Sequence, residues 1–431
     1  MRKLHTVAVL FAVLLCLPSG GGAQGACQPD AVNPPSRYST VTQQLVDMAD
    51  HNAELGTLLR KSIAEAARIN PDRRTNPAQT LEEFYAFVER ATRSMPWSVL
   101  PENPECGLYE RIDQGLDYIY FISDIPLPEL AGRGYYNNSI QYMEPYRSWL
   151  VSYAKAWGAF LDTEKSWNDC YYRMALADAR FGLGKGWYES PSNWKTFNQF
   201  FARRLASPTM RPIAEPDNEA VVTAAADSKP QGVWMIDASS KIVLDEGVRI
   251  KSRDFHSVVD LIGPGSAYGD SFAGGTLTHA FLDVNDYHRY HFPVSGTIRE
   301  MRLITADDAA GGIQTWDAQK GKYVLDAQEP GWQSIETRGC LVVETDDYGL
   351  VALLPVGMSQ VSSVNFEPNL REGDRVKKGD PLGYFLFGGS DFVFVFQRGV
   401  MFEMTAPRSE AAGEYEHILM GEEYGKLTGI R

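Results

Sequence analysis

Apolar positions recur with two different periods along this chain, and the change between them divides it. Between residues 41 and 68, Val41, Leu45, Met48, Leu55, Leu59, Ile63 and Ala66 fall mostly three or four apart. That spacing lines apolar side chains along one face and predicts a single amphipathic helix. Asn70-Pro71 ends it, because proline pushes the preceding residue out of the helical region. Thr80-Leu81-Glu82-Glu83 reads as a capping box opening a helix through Ala91. Arg147 to Phe160, rich in Trp and Tyr, and Trp167 to Arg180 predict two more helices. From about Ala220 the texture becomes short Val, Ile, Leu, Tyr and Phe runs punctuated by Gly, Asp and Pro. Gly232–Ile236, Lys241–Leu244, Leu341–Glu344, Leu350–Val356 and Tyr384–Phe387 carry strand signals, and 371–380 is a charged, Gly-punctuated turn. The expected fold class is therefore α+β, a helical N-terminal domain over 27–190 followed by a β-rich domain over 191–431.

The N-terminus adds an address. Arg2 and Lys3, the apolar run Thr6–Leu17 and the small-residue tail Pro18–Ala26 form the three-part pattern of a secretory signal peptide over residues 1–26. Export to the periplasm or the outside is the expectation. Four cysteines follow it (Cys27, Cys106, Cys170, Cys340), enough for one or two disulfides in an oxidising compartment, and their wide spacing resembles no zinc site.

Composition narrows the partners. With 431 residues, 41 Lys plus Arg and 55 Asp plus Glu, the net charge is −14, which argues against nucleic-acid binding and against an electrostatic hold on anionic lipid. No apolar stretch reaches the length of a bilayer span, so no transmembrane segment is expected.

Three pieces stand out as candidate chemistry. Two of the seven histidines are three apart in Asp286-Tyr287-His288-Arg289-Tyr290-His291-Phe292-Pro293. Phe387-Gly388-Gly389-Ser390 closes a strand-like run, and Ala226-Asp227-Ser228 lies upstream. The His pair has no third ligand in evidence and lacks the spacing of a metalloprotease helix, so no metal is expected. A serine hydrolase triad is a further reading, but Gly388-Gly389-Ser390-Asp391-Phe392 lacks the last glycine of a nucleophile elbow.

In order, these pieces resemble the phosphatidylserine decarboxylase family, whose cofactor is a pyruvoyl group made from its own chain. The resemblance runs from about Phe197 to Val400. It includes the Phe197–Leu205 segment, Arg211-Pro212-Ile213, Ala226-Asp227-Ser228, the stretch from Phe281 through Ile298, and Gly379 through Ser390. The helical half, through Trp157-Gly158-Ala159-Phe160-Leu161, is similar to the domain preceding the catalytic part of fungal L-tryptophan decarboxylases in that family.

The resemblance implies self-cleavage between Gly389 and Ser390 into a β and an α chain. Ser390 would attack the Gly389 carbonyl, with His291 as its base oriented by Asp227, and would become the pyruvoyl group. That group would form a Schiff base with a substrate amine and take up the electrons released with CO2, His288 protonating the carbanion. Phe387 and Tyr290 are expected to shape the substrate pocket. Asp391 departs from the family's usual Thr or Ser, and a carboxylate beside the new carbonyl is expected to slow self-cleavage or alter substrate tolerance. The substrate expected is a free amino acid, aromatic and tryptophan-like. The alternatives are a phosphatidylserine headgroup, which would need a basic patch such as Lys251–Arg253 or Arg371–Lys378, and an uncleaved lipid- or ligand-binding module. The two self-derived chains can pair further as a homodimer.

Overall fold

The computed structural model describes residues 38–101, 107–244, 249–250, 253–254, 256–305, 313–326, 330–358, 363–409 and 413–430. The expected leader over 1–26, Cys27, Cys106 and Lys251 lie outside them. The helices are α1 (Thr40–His51), α2 (Ala53–Ile69), α3 (Leu81–Ala91), α4 (Leu108–Ser123), α5 (Tyr146–Leu161), α6 (Asp169–Ala177), α7 (Phe197–Phe201) and α8 (Val258–Ile262).

The single helix expected over residues 41–68 is two. Asn52 leaves helical geometry and caps α2, its side chain accepting from the Leu55 N–H at 3.1 Å. Gly56 lets the two helices close up, since a Cβ there would sit 2.3 Å from the Ala49 carbonyl oxygen. Asn52→Ala is expected to cost about 1 kcal/mol through the lost cap, readable as a lower denaturant midpoint with an unchanged slope. Thr80 caps α3 as its sequence predicts, accepting from the Glu83 N–H at 3.2 Å. α4 is absent from the expected set. Its buried residues Leu108, Ile112, Leu116 and Ile119 keep helical spacing, but Asp113 and Asp117 interrupt the pattern.

The strands are β1 (Val221–Thr223), β2 (Lys229–Met235), β3 (Arg249–Ile250), β4 (Arg253–Asp254), β5 (Thr276–Leu282), β6 (Arg289–His291), β7 (Gly296–Ile304), β8 (Ile313–Asp317) and β9 (Lys322–Asp326). They continue as β10 (Thr337–Glu344), β11 (Leu350–Met358), β12 (Val364–Phe366), β13 (Arg375–Val376), β14 (Pro381–Phe385), β15 (Gly389–Phe396), β16 (Val400–Met404) and β17 (Glu423–Gly429). A seven-stranded antiparallel sheet runs in the order β13-β7-β10-β11-β15-β5-β2. Smaller sheets join β1-β17-β16 and β12-β14-β6. Two expectations change here. Lys241–Leu244 makes only isolated bridges, Ile236 with Ile242 and Lys241 with Ser257. The run at Tyr384–Phe387 ends as a strand at Phe385, and the chain passes from the β12-β14-β6 sheet into the seven-stranded sheet at Gly389 as β15.

β15 is covered on both faces, which explains its unbroken apolar sequence. Successive side chains point to opposite sides of a strand, so Phe392, Phe394 and Phe396 enter one apolar cluster while Val393 and Val395 enter another. The first cluster extends through Leu45, Phe84 and Tyr153 of the helices, so both halves share one core. The β8–β9 hairpin strengthens that junction by docking on α4. Gln314 donates to Asp117 at 2.8 Å and the Tyr323 N–H to Gln114 at 2.6 Å. In the charged turn at 371–380, Arg371 and Lys377 are exposed but two other cations are engaged. Lys378 is buried and donates to the carbonyls of Glu215 and Asn218, and Arg375 pairs with Asp346.

Candidate active site

Ser390 sits at the start of β15, just after a glycine pair. Before it, Gly388 takes φ 146°, a conformation side chains rarely adopt. After it, Ser390 and Asp391 pair with Leu282 and Phe281 of β5 on one side and with Gly357 and Val356 of β11 on the other. Ser390 is fully buried, and its Oγ has no hydrogen-bond partner among the described residues. A buried hydroxyl without a partner costs about 1–3 kcal/mol.

The segment just ahead of the serine is held by the helical half. The Phe387 N–H donates to Asn198 Oδ1 at 3.2 Å, and Asn198 Nδ2 donates to Asp162 at 2.8 Å. The Phe387 ring meets Trp157, Phe197 and Phe201 edge-on, with centroids 5.5, 5.2 and 5.4 Å away. Phe201 also stacks on His288, with ring centroids 3.7 Å apart, and so links the imidazole to Phe387.

His288 precedes the short strand β6 and His291 ends it, and the two have distinct surroundings. His288 is fully buried. Its Nδ1–H donates to the Asp286 carbonyl at 3.0 Å, and its Nε2 has no partner among the described residues. Burial, reinforced by the Arg203 charge, holds it well below the ordinary histidine range, so it is neutral with a free lone pair on Nε2. His291 gives its Nδ1–H to the Gly379 carbonyl at 2.9 Å, and its Nε2 accepts from the Tyr287 hydroxyl at 3.2 Å. Burial lowers its pKa as well.

Asp227 does not hydrogen-bond His291, as its expected orienting role would require. Its two oxygens accept from Arg211, Oδ1 from Nε at 2.9 Å and Oδ2 from Nη2 at 2.6 Å, and Oδ1 also accepts from the Met420 N–H at 2.8 Å. Both side chains of this pair are buried. Asp227 acts on His291 through its charge instead, opposing the effect of burial. Tyr290 is a core aromatic whose hydroxyl donates to the Asn365 carbonyl at 2.6 Å, and its ring packs on Phe385 and Phe392.

Asp391 faces away from Ser390. One step along a strand reverses the side chain, which carries the Asp391 carboxylate to the opposite side of the sheet, onto His279 at 2.9 Å and Gln333 at 2.8 Å. The carboxylate expected to affect self-cleavage or substrate tolerance therefore does not lie against the Ser390 hydroxyl. Tyr287, Arg211, Asn198, His279 and Gln333 are the residues that sequence reasoning left without roles. The first three lie inside the segments that carry the family resemblance, where a signal was available.

A second carboxylate pair has a testable consequence. His417 Nε2 lies 2.8 Å from Asp286 Oδ1, while Asp286 Oδ2 accepts the Asp283 N–H at 2.8 Å. Burial pushes Asp286 up to about 6. Burial lowers His417, but the hydrogen bond and charge of Asp286, with the charges of Asp227 and Asp283, outweigh it and leave His417 raised. A histidine raised on folding stabilises at low pH, and that contribution is lost as pH climbs through its folded value. Asp286 has the opposite balance, costing stability as pH rises towards about 6, so the range above isolates His417. The melting temperature of the wild type is expected to exceed that of His417→Gln most near pH ~6.5 and to converge with it at higher pH. A constant gap across that range would exclude the linkage.

Comparison with known proteins places this arrangement. The profile of the family described as "Phosphatidylserine decarboxylase" matches residues 197–426, more than half of the chain. The chain belongs to the phosphatidylserine decarboxylase family, a family of pyruvoyl-dependent carboxy-lyases. It is 35% identical over 208 residues to "Phosphatidylserine decarboxylase proenzyme 2" of Oryza sativa subsp. japonica, covering 48% of this chain and 30% of that protein. It is 27% identical over 287 residues to "Decarboxylase iboD" of Amanita muscaria, covering 60% and 79%. It is 30% identical over 249 residues to "Phosphatidylserine decarboxylase proenzyme" of Chlamydia felis, covering 56% and 73%. The chain thus spans under a third of the rice protein and about three quarters of the other two.

Proposed function

We propose that this chain is a self-processing carboxy-lyase that cuts itself between Gly389 and Ser390 and then decarboxylates an amino substrate. The observation that carries the reading is the buried, unpaired Ser390 Oγ at the joint between a glycine pair and β15. Those residues suit a pyruvoyl group, since a free hydroxyl next to a side-chain-free carbonyl is what its formation needs. Ser390 Oγ attacks the Gly389 carbonyl carbon, and the peptide C–N bond breaks to give an ester and a free amine. His291 Nε2 takes the hydroxyl proton, exchanging its Tyr287 partner for Ser390. The Cα proton of residue 390 then leaves, its electron pair forms a Cα=Cβ bond, and the Cβ–O bond breaks to release the Gly389 carboxylate. Water replaces the nitrogen, which departs as ammonia.

Once formed, the pyruvoyl group supplies a ketone for the substrate amine and a sink for the electrons of the lost carboxylate. His288 enters turnover as a proton acceptor at Nε2. It carries the proton that the substrate nitrogen sheds and returns it to the carbon that loses CO2, and its low basicity opposes the first transfer and favours the second. Trp157, Phe197, Phe201 and Phe387 keep water out.

We propose a free aromatic amino acid, tryptophan-like, as the substrate. The −14 charge, the buried Lys378 and the aromatic surroundings of Phe387 support it. No helix among the described residues is long and apolar enough to cross a membrane. Phosphatidylserine is the second reading, favoured by the similarity to the rice and Chlamydia phosphatidylserine decarboxylase proenzymes. Export through the N-terminal leader is proposed too, and the disulfide-bonded state of Cys170 supports it.

The test is intact mass under denaturing conditions followed by CO2 release from tryptophan and from phosphatidylserine vesicles. A fragment beginning at residue 390 and lacking one ammonia, with release from tryptophan alone, is the expected result. Release from the vesicles alone selects the second reading. A folded chain that stays whole overturns self-processing in favour of a binding module.

A further inference from the structure

Asp391 is an acid in the middle of an apolar sheet, which is costly unless every polar atom is met. Here every one is. Oδ1 accepts from its own neighbour, the Phe392 N–H, at 2.9 Å, and from His279 Nδ1 at 3.1 Å. Oδ2 lies 2.9 Å from the same nitrogen and accepts from Gln333 Nε2 at 2.8 Å. Gln333 is itself oriented, its Oε1 accepting the Gly331 N–H at 2.7 Å, which turns Nε2 towards the acid. Trp234 stacks over the His279 ring with centroids 5.1 Å apart. Asp391, His279 and Gln333 are all buried.

We infer that this unit is an anchor for residue 390 during and after scission, and that Asp391, His279 and Gln333 are positioning residues for self-processing. The inference rests on the proposed cleavage at Gly389-Ser390. Before the cut, residue 390 is tethered on both sides. Afterwards the amide to Asp391 is its only covalent tether, beside the pairing of β15 with β5 and β11. The cut severs the Gly388-Gly389 side, so the side that must stay still is the one that carries the three-point clamp. The clamp lies across the sheet from the reacting atoms and touches none of them.

Its chemical consequence is the fate of the ester. Two outcomes compete for it. Loss of the Cα proton with departure of the Gly389 carboxylate leads to a pyruvoyl end. Attack of water on the ester carbonyl breaks the C–O bond and leaves an ordinary serine end, heavier than the pyruvoyl end by one ammonia. Elimination needs the Cα–H bond aligned with the breaking Cβ–O bond, and hydrolysis does not. A held backbone therefore favours the pyruvoyl end, and misplacement by about 1 Å costs an oriented step up to roughly a hundredfold.

Intact mass of the 390–431 fragment from the full chain gives the ratio of the two ends without any substrate. Asp391→Ala is expected to shift that ratio towards serine by about tenfold or more. Asp391→Asn keeps an oxygen acceptor and is expected to restore most of the pyruvoyl fraction. A purely structural role would lower the amount of folded protein and leave the ratio untouched, so an unchanged ratio in Asp391→Ala overturns the inference. If Asp391→Ala does not fold, Gln333→Ala, which removes one of the donors and leaves His279, is expected to show a smaller shift in the same direction, and an unchanged ratio there is equally decisive against it. Wild-type chain that yields no fragment overturns the cleavage reading and this inference with it. Failure of the clamp alone leaves the wild-type fragment in place.

Discussion

Replacing Ser390 by alanine is expected to leave the chain whole and CO2 release at background, with no loss of stability. The two halves of this outcome have separate causes. Alanine has no oxygen to attack the Gly389 carbonyl, so neither the ester nor the electrophile derived from it can form. Stability holds because Ser390 Oγ is fully buried and makes no hydrogen bond among the described residues. Removing an unsatisfied hydroxyl from an apolar site relieves a desolvation cost of about 1–3 kcal/mol and leaves only a small loss of packing. Denaturant unfolding of the alanine variant, set against wild type held uncleaved, should therefore give an equal or higher midpoint. A residual fragment starting at residue 390 in the variant would remove Ser390 from the reaction. A fall in midpoint would mean that its hydroxyl has a structural partner.

Arg211→Met should be the most damaging single change for the fold. The guanidinium makes two bonds to Asp227 at 2.9 and 2.6 Å and lies 4.2 Å above the Trp187 ring, with both charged side chains buried. Methionine fills much of the same volume but leaves the carboxylate without its counter-charge. Breaking a buried pair in this way costs about 3–5 kcal/mol, whereas replacing both partners with apolar groups is often close to neutral. The double variant Arg211→Met with Asp227→Leu is thus expected to regain most of the stability lost by the single one. That comparison, made by denaturant midpoints, separates a charge left stranded from a mere packing fault. If the double variant is no better than the single, the ion-pair account is wrong.

These residues also show what could be read from the chain alone. Ser390, His288, His291 and Asp227 were legible because they stand in short segments whose order resembles a known family. Their partners were not. Arg211 reaches Asp227 only because the segment between them folds back, and Tyr287 reaches His291 four residues on, neither of which a spacing rule foretells. The α+β division was legible from the change in apolar period. The break at Asn52 was not, since the apolar spacing continues across it and the cap depends on one side chain turning back to Leu55. Asp391 stands out in the sequence as a departure from the family pattern, while its partners His279 and Gln333 do not, because the sheet brings them to it from distant segments.

β15 lies inside the seven-stranded sheet, paired along its length with β11 and β5. Self-scission at residue 389 would therefore divide the polypeptide without dividing the molecule. The shorter product, carrying nearly all of β15 with β16 and β17, would be an interior rib whose escape requires the sheet to be torn open. The two pieces should migrate together on a native gel, melt in one transition, and refuse exchange with a labelled copy of the shorter one. Maturation in such a fold is a one-way event that has to follow assembly of the sheet, because a peptide cut free too early has no edge at which to re-enter.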